Sequence, residues 1–474
     1  AAHRFQRLCV ALALLAATNA MSQGLCDDRP NVVMMISDDQ AFSDFGFMGN
    51  HDIQTPHLDA LAARSSRFTH GYVPASVCRP SLVTLLTGMY PHQHGVHFNH
   101  PPPGFSKLTR TLSRDQYQAA REAAMVLIRG VDTLPGLLAK RGYRCLQTGK
   151  YWEGHWRNAG FTDGMTTGQP VAGARYGNKR LADGQWAALG NGDAGLAIGR
   201  ETMQPIQTFL KDVGEDPFFI WYAPFLPHLP HDSPKRFVDL YDNTIPEHDR
   251  VYYAACSQLD HTVGQLIDSV SQCCKTRETL FVFVVDNGFE PDPAQPMRDG
   301  QGFNYTRRSK RSPFETGLRT PILFSLSGRT RSETHDLLCS SVDVVPTILD
   351  CCSIEIPDSI SGRSLWPLVT GEVETLESEP VFGAIYPGDA SVLGDPSVDV
   401  AYRWIRSGEF KLIVPHQKNG KVWGDYGDLI QLYNLAADPN ELTNLATDSR
   451  SRSTVDRLHA ALDRWWSADG ETTK

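Results

Sequence analysis

The sequence predicts an α/β fold: a mostly parallel sheet covered by helices on both faces, followed by a smaller C-terminal α+β subdomain. Two observations carry this. Continuous apolar runs of strand length are separated by helical patterns, and a strand that is apolar throughout is one buried on both faces. Each run also ends in residues able to do chemistry, and in such sheets ligands bind beyond the carboxyl ends of the strands.

The chain opens with His3, Arg4 and Arg7, the apolar run 8–17, and small residues around Ala20 and Ser22. That layout predicts a secretory signal peptide over residues 1–22 and a protein secreted or delivered to the periplasm. The run "NVVMMIS" (31–37) leads into Asp38 and Asp39. In "SVCRPSLVTLLTG" (76–88), Pro80 suits a first helical position, Gly88 a C-terminal cap, and Leu82, Leu85 and Leu86 a buried stripe. Cys78 then stands at a helix amino end, where backbone donors and the dipole favour an anion. Residues 101–130 read as a Pro-rich turn and a helix inserted near the site, and "TLPGLLAKRGY" as a helix.

Three further runs complete the pattern. "YRCLQT" (143–148) leads into Gly149 and Lys150, "FFIWYA" (218–223) into Pro227 and His228, and "LFVFVV" (280–285) into Asp286 and Asn287. After about residue 353 the texture changes. A main domain over 23–375 gives way to a subdomain over 376–474, where "AYRWIRSGEFKLIVP" and "DLIQLYNLAADPNELTNLA" predict a hairpin or meander and "STVDRLHAALDRWW" a terminal helix.

Composition excludes some functions. A formal net charge of −9 argues against broad nucleic-acid binding, which needs a basic surface. No segment after the leader approaches the ~18 uninterrupted apolar residues of a membrane span. The ten cysteines follow no paired zinc-type spacing, and in an exported protein some of them are expected to pair.

Asp38, Asp39, Asp286 and Asn287 are oxygen donors without a matching His or Cys cluster, a set that suits a hard cation, calcium first and magnesium second. Taken singly, acidic pairs after strands are as often helix caps or turns, Lys150 and Lys310 are ordinary surface lysines, and His228 merely orders a Pro-rich loop. Glu315 and Arg319 read as a structural pair supporting the strand that follows.

The phrases "PNVVMMISDDQ", "CRPSLVTLLTGMYPHQHG", "TLPGLLAKRGYRCLQTGKYWEG", "FLPHLP", "VVDNG", "KRSPFETGLRTPILF", "VDVVPTILD" and "LYNLAADPNELTNLA" occur in order along nearly the whole chain. Together they resemble the sulfatase family, which has an alkaline-phosphatase-like fold. The resemblance implies that Cys78 is oxidised by a maturation enzyme to formylglycine, whose hydrated aldehyde attacks sulfur. It implies calcium ligation by Asp38, Asp39, Asp286, Asn287 and the modified Cys78, and cationic sulfate-binding roles for Lys150, His228 and Lys310.

Two positions differ from the family's phrases. Leu82 stands where arginine is commonest, which nominates Arg79 as the aldehyde's cationic support. Trp152 stands where many relatives carry histidine, which nominates Glu153 or His155 as the replacement donor. The expected function is an exported sulfatase acting on sulfated carbohydrates. The alternatives are a phosphate or phosphonate ester hydrolase of the same fold, and a non-catalytic binder of sulfated glycans if Cys78 remains a thiol.

Overall fold

The computed structural model describes residues 29–172, 176–188, 194–273, 276–298, 300, 302–386, 388–418, 421–422 and 425–468. The expected signal peptide lies outside the described residues. The run 31–37 is the strand Asn31–Ser37, and its side chains alternate between two cores. Val32, Met34 and Ile36 enter the core that holds Leu82, Leu85 and Leu86, while Val33 and Met35 enter the opposite one with Leu58, Leu61 and Leu259. The strands Phe218–Ala223 and Thr279–Val285 divide in the same way, which is why their sequences lack polar alternation.

Asn31–Ser37 is central, pairing in parallel with Phe218–Ala223 on one side and Thr279–Val285 on the other. Arg144–Gly149 continues the sheet beyond Phe218–Ala223, again in parallel. The far side is mixed: Arg319–Ser325 is antiparallel to both Thr279–Val285 and Ser66–Tyr72. The mostly parallel sheet read from sequence is thus borne out, with antiparallel pairing confined to that flank.

Register brings the strand ends level. Ser37 faces Val285, and Gly149 faces Ala223, so the next residues of four strands leave the same edge side by side. Gly149 is in the left-handed region (φ 73), and a Cβ there would lie 2.0 Å from the Ala223 carbonyl oxygen. Glycine is therefore required for Lys150 to turn in over the sheet.

A second, antiparallel sheet is formed by Val381–Ile385, Tyr402–Ser407, Phe410–Pro415 and Gln431–Asn434, and the helix Arg452–Trp465 packs on it through Leu458 and Leu462. The expected hairpin and terminal helix are present, and Val381–Ile385 adds an edge strand beyond them. A buried ionic group joins the two sheets. Lys411 lies 3.1 Å from Glu315 and 2.9 Å from Glu441, and the Tyr72 hydroxyl donates to Glu315 at 2.7 Å. Glu315 is thus structural, but its partner is Lys411. Arg319 instead donates to the Thr69 carbonyl and lies over the Phe42 ring.

The expectation of disulfides fails among the described residues, where Cys78, Cys145, Cys256, Cys273, Cys339, Cys351 and Cys352 are all free. No helix among the described residues is long and apolar enough to cross a membrane.

Candidate active site

Cys78 opens the helix Cys78–Thr87, every residue of which is buried. The helix begins two residues earlier than Pro80 suggested, because a proline inside the first turn forfeits no intrahelical hydrogen bond. Gly88 ends it in the left-handed region (φ 66), its N–H donating to Thr84 at 2.8 Å. Leu82 is 3% exposed and belongs to the core with Leu85 and Leu86.

Around Cys78 the sheet edge gathers charge. Its Sγ lies 3.7 Å from Asp38 Oδ1 and 3.8 Å from Asp39 Oδ1. Lys150 Nζ donates to both Asp38 oxygens, at 2.5 and 2.6 Å, and Lys310 Nζ donates to Asp39 Oδ2 at 2.6 Å. Asp39 takes a left-handed backbone (φ 64), a strained conformation for a non-glycine residue. Its N–H donates to Asp286 Oδ1 at 3.1 Å, and the Asn287 amide donates to Asp39 Oδ1 at 2.8 Å.

The electrostatics follow from burial and pairing. Burial alone would raise Asp39, but Lys310, His228 and Lys150 hold its carboxyl below the ordinary range. Asp286 is driven well up, first by burial and then by the charge of Asp38. Burial opposes the charge on each lysine, yet Asp38 keeps Lys150 and Asp39 keeps Lys310 protonated beyond the ordinary value. Burial pushes the Cys78 thiol upward by more than Lys150 and Lys310 draw it down, so as a cysteine it is protonated and a poor nucleophile.

His228 follows the Phe218–Ala223 strand on a loop pinned to the sheet by Asp38, whose N–H donates to the Leu226 carbonyl at 3.0 Å. Arg200 donates to the carbonyls of Phe225, His228 and Pro230, fixing the loop from behind. His228 Nδ1 lies 2.7 Å from the Leu229 carbonyl, which only accepts, so Nδ1 carries the proton. Nε2 turns toward Asp39 Oδ2 at 3.4 Å. Burial lowers this imidazole to about 4 despite Asp39 and Asp38, leaving it neutral at pH 7 in place of the cation the motif suggested.

A hard cation suits this floor. Asp286 Oδ2 and Asn287 Oδ1 are buried acceptors without a hydrogen-bond partner among the described residues. Asp38, Asp39, Cys78 and His228 each present a ligand-type atom, all within 4.8 Å of one another. Orphaned oxygens beside two carboxylates fit calcium or magnesium coordination; the two lysines supply compensating charge but cannot ligate.

The remaining nominations fare differently. Arg79 does not reach Cys78's neighbours: its Nε and Nη2 donate to Glu153 Oε1 and Oε2 at 2.6 and 2.7 Å, and its Cζ lies 4.6 Å from the Phe98 ring centroid. Glu153 is consumed by that pair. His155 accepts from the Arg157 N–H and caps the short helix Trp156–Ala159, so it is no replacement donor. Trp152 itself lines the site, its ring centroid 5.8 Å from Lys150 Nζ. His94 packs behind the helix against Thr84, and His92 stacks on Trp466.

A model of the sulfatase family matches residues 30–354, and a model described as N-sulphoglucosamine sulphohydrolase, C-terminal, matches residues 304–467. The chain belongs to the sulfatase family. This sulfatase is 27% identical to arylsulfatase A of Homo sapiens over 400 residues, covering 78% of this chain and 74% of that protein. It is 25% identical to N-sulphoglucosamine sulphohydrolase of Homo sapiens, covering 93% and 91%. Among solved structures, BT4656 in complex with its substrate D-glucosamine-2-N,6-O-disulfate superposes with a TM-score of 0.68 at 19% identity, covering 94% of this sulfatase and 100% of that chain. The sulfatase is accordingly a sulfuric ester hydrolase with the alkaline-phosphatase-like fold.

Proposed function

We propose that this sulfatase removes sulfate from sulfated carbohydrates after export, using Cys78 in its formylglycine form and a calcium ion held by Asp38, Asp39, Asp286 and Asn287. The observation that carries the reading is the convergence on Cys78 of two charge-paired lysines and two orphaned acceptor oxygens at one sheet edge. The carbohydrate class draws support from the relatives, one named for sulphoglucosamine and one bound to a glucosamine disulfate. Export draws support from the basic, then apolar, start of the chain.

Formylglycine would supply a hydrated aldehyde as nucleophile and calcium a Lewis acid for the sulfate oxygens. The chain's own groups do the rest. Lys150 and Lys310 are held protonated by Asp38 and Asp39, and so present fixed positive charge to the non-bridging oxygens without reorganising. His228 has its proton on Nδ1, committed to Leu229, which leaves the Nε2 lone pair free to accept a proton during attack. The imidazolium so formed lies beside Asp39 and can return that proton to the departing alcohol.

The test is sulfate release from a panel of defined sulfated mono- and disaccharides, with the metal content and the mass of the Cys78 peptide measured on the same sample. Release of sulfate by protein that contains the aldehyde and a divalent ion is expected. Turnover by protein with an unmodified thiol, or with no bound metal, overturns the corresponding assignment.

A further inference from the structure

Three cations around the site are each paired with one carboxylate. Lys150 is matched by Asp38, Lys310 by Asp39, and Arg79 by Glu153. Arg311, immediately after Lys310, has no ion pair and no side-chain hydrogen bond among the described residues, and its Nε is buried without an acceptor. A buried donor left unsatisfied is costly unless a ligand completes it.

The backbone holds Arg311 in place. It adopts φ 69, a conformation that arginine avoids, and its N–H donates to the Ser76 carbonyl at 2.7 Å, two residues before Cys78. The guanidinium lies flat against Gly388, where a Cβ would meet its Nη1, Cζ and Nη2 at 3.0 to 3.1 Å. A side chain at 388 would shift the group by a few tenths of an ångström at least.

The loop carrying Gly388 is itself fixed to the wall of the site. Asp389 accepts from the N–H groups of Phe105 and Ser106 at 3.0 and 2.9 Å, and the Gly104 N–H donates to Ala390 at 3.0 Å. His100, on that wall, lies 5.0 Å from the Trp152 ring. Burial first, then the charges of Arg311, Lys310, Lys150 and Arg79 in that order, push the His100 imidazole down to about 3. Arg311 is therefore the strongest cationic influence on His100, and Trp152 Nε1 and His100 Nδ1 on that wall are also buried without a hydrogen-bond partner among the described residues.

Resting on the sulfatase reading, we propose that Arg311, seated on Gly388, is a specificity-determining residue that takes a second anionic group of the substrate, a sulfate or a carboxylate near the sulfate to be removed. The preferred substrate class is then sugars carrying at least two negative charges. The planar guanidinium fork suits bidentate contact with either group.

The experiment uses the full chain with Cys78→Ala, which turns nothing over, and reads binding calorimetrically. The probes are matched pairs: glucosamine 6-sulfate with glucosamine 2-N,6-O-disulfate, galactosamine 4-sulfate with its 4,6-disulfate, and a sulfated uronate disaccharide with its carboxyl-reduced counterpart. The expected result is at least a ten-fold preference for the dianionic member of one pair, lost in Arg311→Gln and largely kept in Arg311→Lys, with unchanged melting temperatures. The pair showing the preference tells sulfate from carboxylate. Equal affinity within every pair, or a preference that survives Arg311→Gln, overturns the assignment. Sulfate release by the unsubstituted protein is scored separately: its absence counts against the hydrolytic reading, while the binding comparison still decides Arg311.

Discussion

Arg79 and Glu153 form a two-pronged ion pair, Nε to Oε1 at 2.6 Å and Nη2 to Oε2 at 2.7 Å, with side chains 0% and 1% exposed. Removing either partner strands a buried charge. Glu153→Leu should therefore destabilise the fold by about 3–5 kcal/mol, whereas Arg79→Leu with Glu153→Leu should recover most of that loss. Urea denaturation of the single and double variants checks this; a double variant as unstable as the single would mean that the residues act independently.

Leu82 yields a prediction of the opposite kind. Restoring the arginine common in the family, Leu82→Arg, would force a guanidinium into a core of Leu85, Leu86 and Val83. We expect a loss of several kcal/mol and no gain in turnover, since an unpaired buried charge is among the costliest substitutions. Thermal melts and kcat/KM on the same preparation test it; a stable and faster variant would contradict the packing described.

Lys310→Ala and His228→Ala should each lower kcat by about 10²–10³-fold with little change in fold, because both groups meet charge that develops during the reaction. Circular dichroism and steady-state kinetics decide it. Near-normal turnover in either variant assigns that residue to loop support.

Divalent ions should stabilise as well as activate. Chelation is expected to lower both melting temperature and activity, with calcium restoring them, because Asp38, Asp39 and Asp286 repel one another at close range. Unchanged melting after exhaustive chelation of a metal-free sample would sink the calcium assignment.

Acid should destabilise the protein through His231. The ring is 7% exposed, neither nitrogen has a hydrogen-bond partner among the described residues, and burial lowers it to about 3. The folded form thus binds this proton less readily than the unfolded chain, whose histidine titrates near 6.5. The stability it confers is complete above about pH 6.5 and is lost as pH falls toward 3, at about 1.4 kcal/mol per pH unit for one proton. His231→Leu should flatten the acid limb of a stability-against-pH curve by about that slope.

Much of this was legible in the sequence, for identifiable reasons. Asp38, Lys150 and Asp286 directly follow strands that share a register, so their neighbourhood is fixed by the sheet alone. Leu82 announced its burial by its spacing from Leu85 and Leu86. Glu153 did not announce its role: its partner is 74 residues away, and no local pattern marks a salt bridge across loops. Closeness in sequence pairs Glu315 with Arg319, whereas its partner, Lys411, lies on the second sheet. The seating of Arg311 on Gly388 depends on how the second sheet docks, which periodicity does not encode.

The position of Asn31–Ser37 also governs how the molecule can be made. Among the described residues it is the first strand to be synthesised, yet its two neighbours begin only at Phe218 and Thr279. Until Phe218–Ala223 is made it is a seven-residue, mostly apolar strand with both edges bare. Such a segment invites pairing with other nascent chains, so yield should depend on chaperone supply and translation speed, and fragments ending before about residue 285 should be recovered as aggregates.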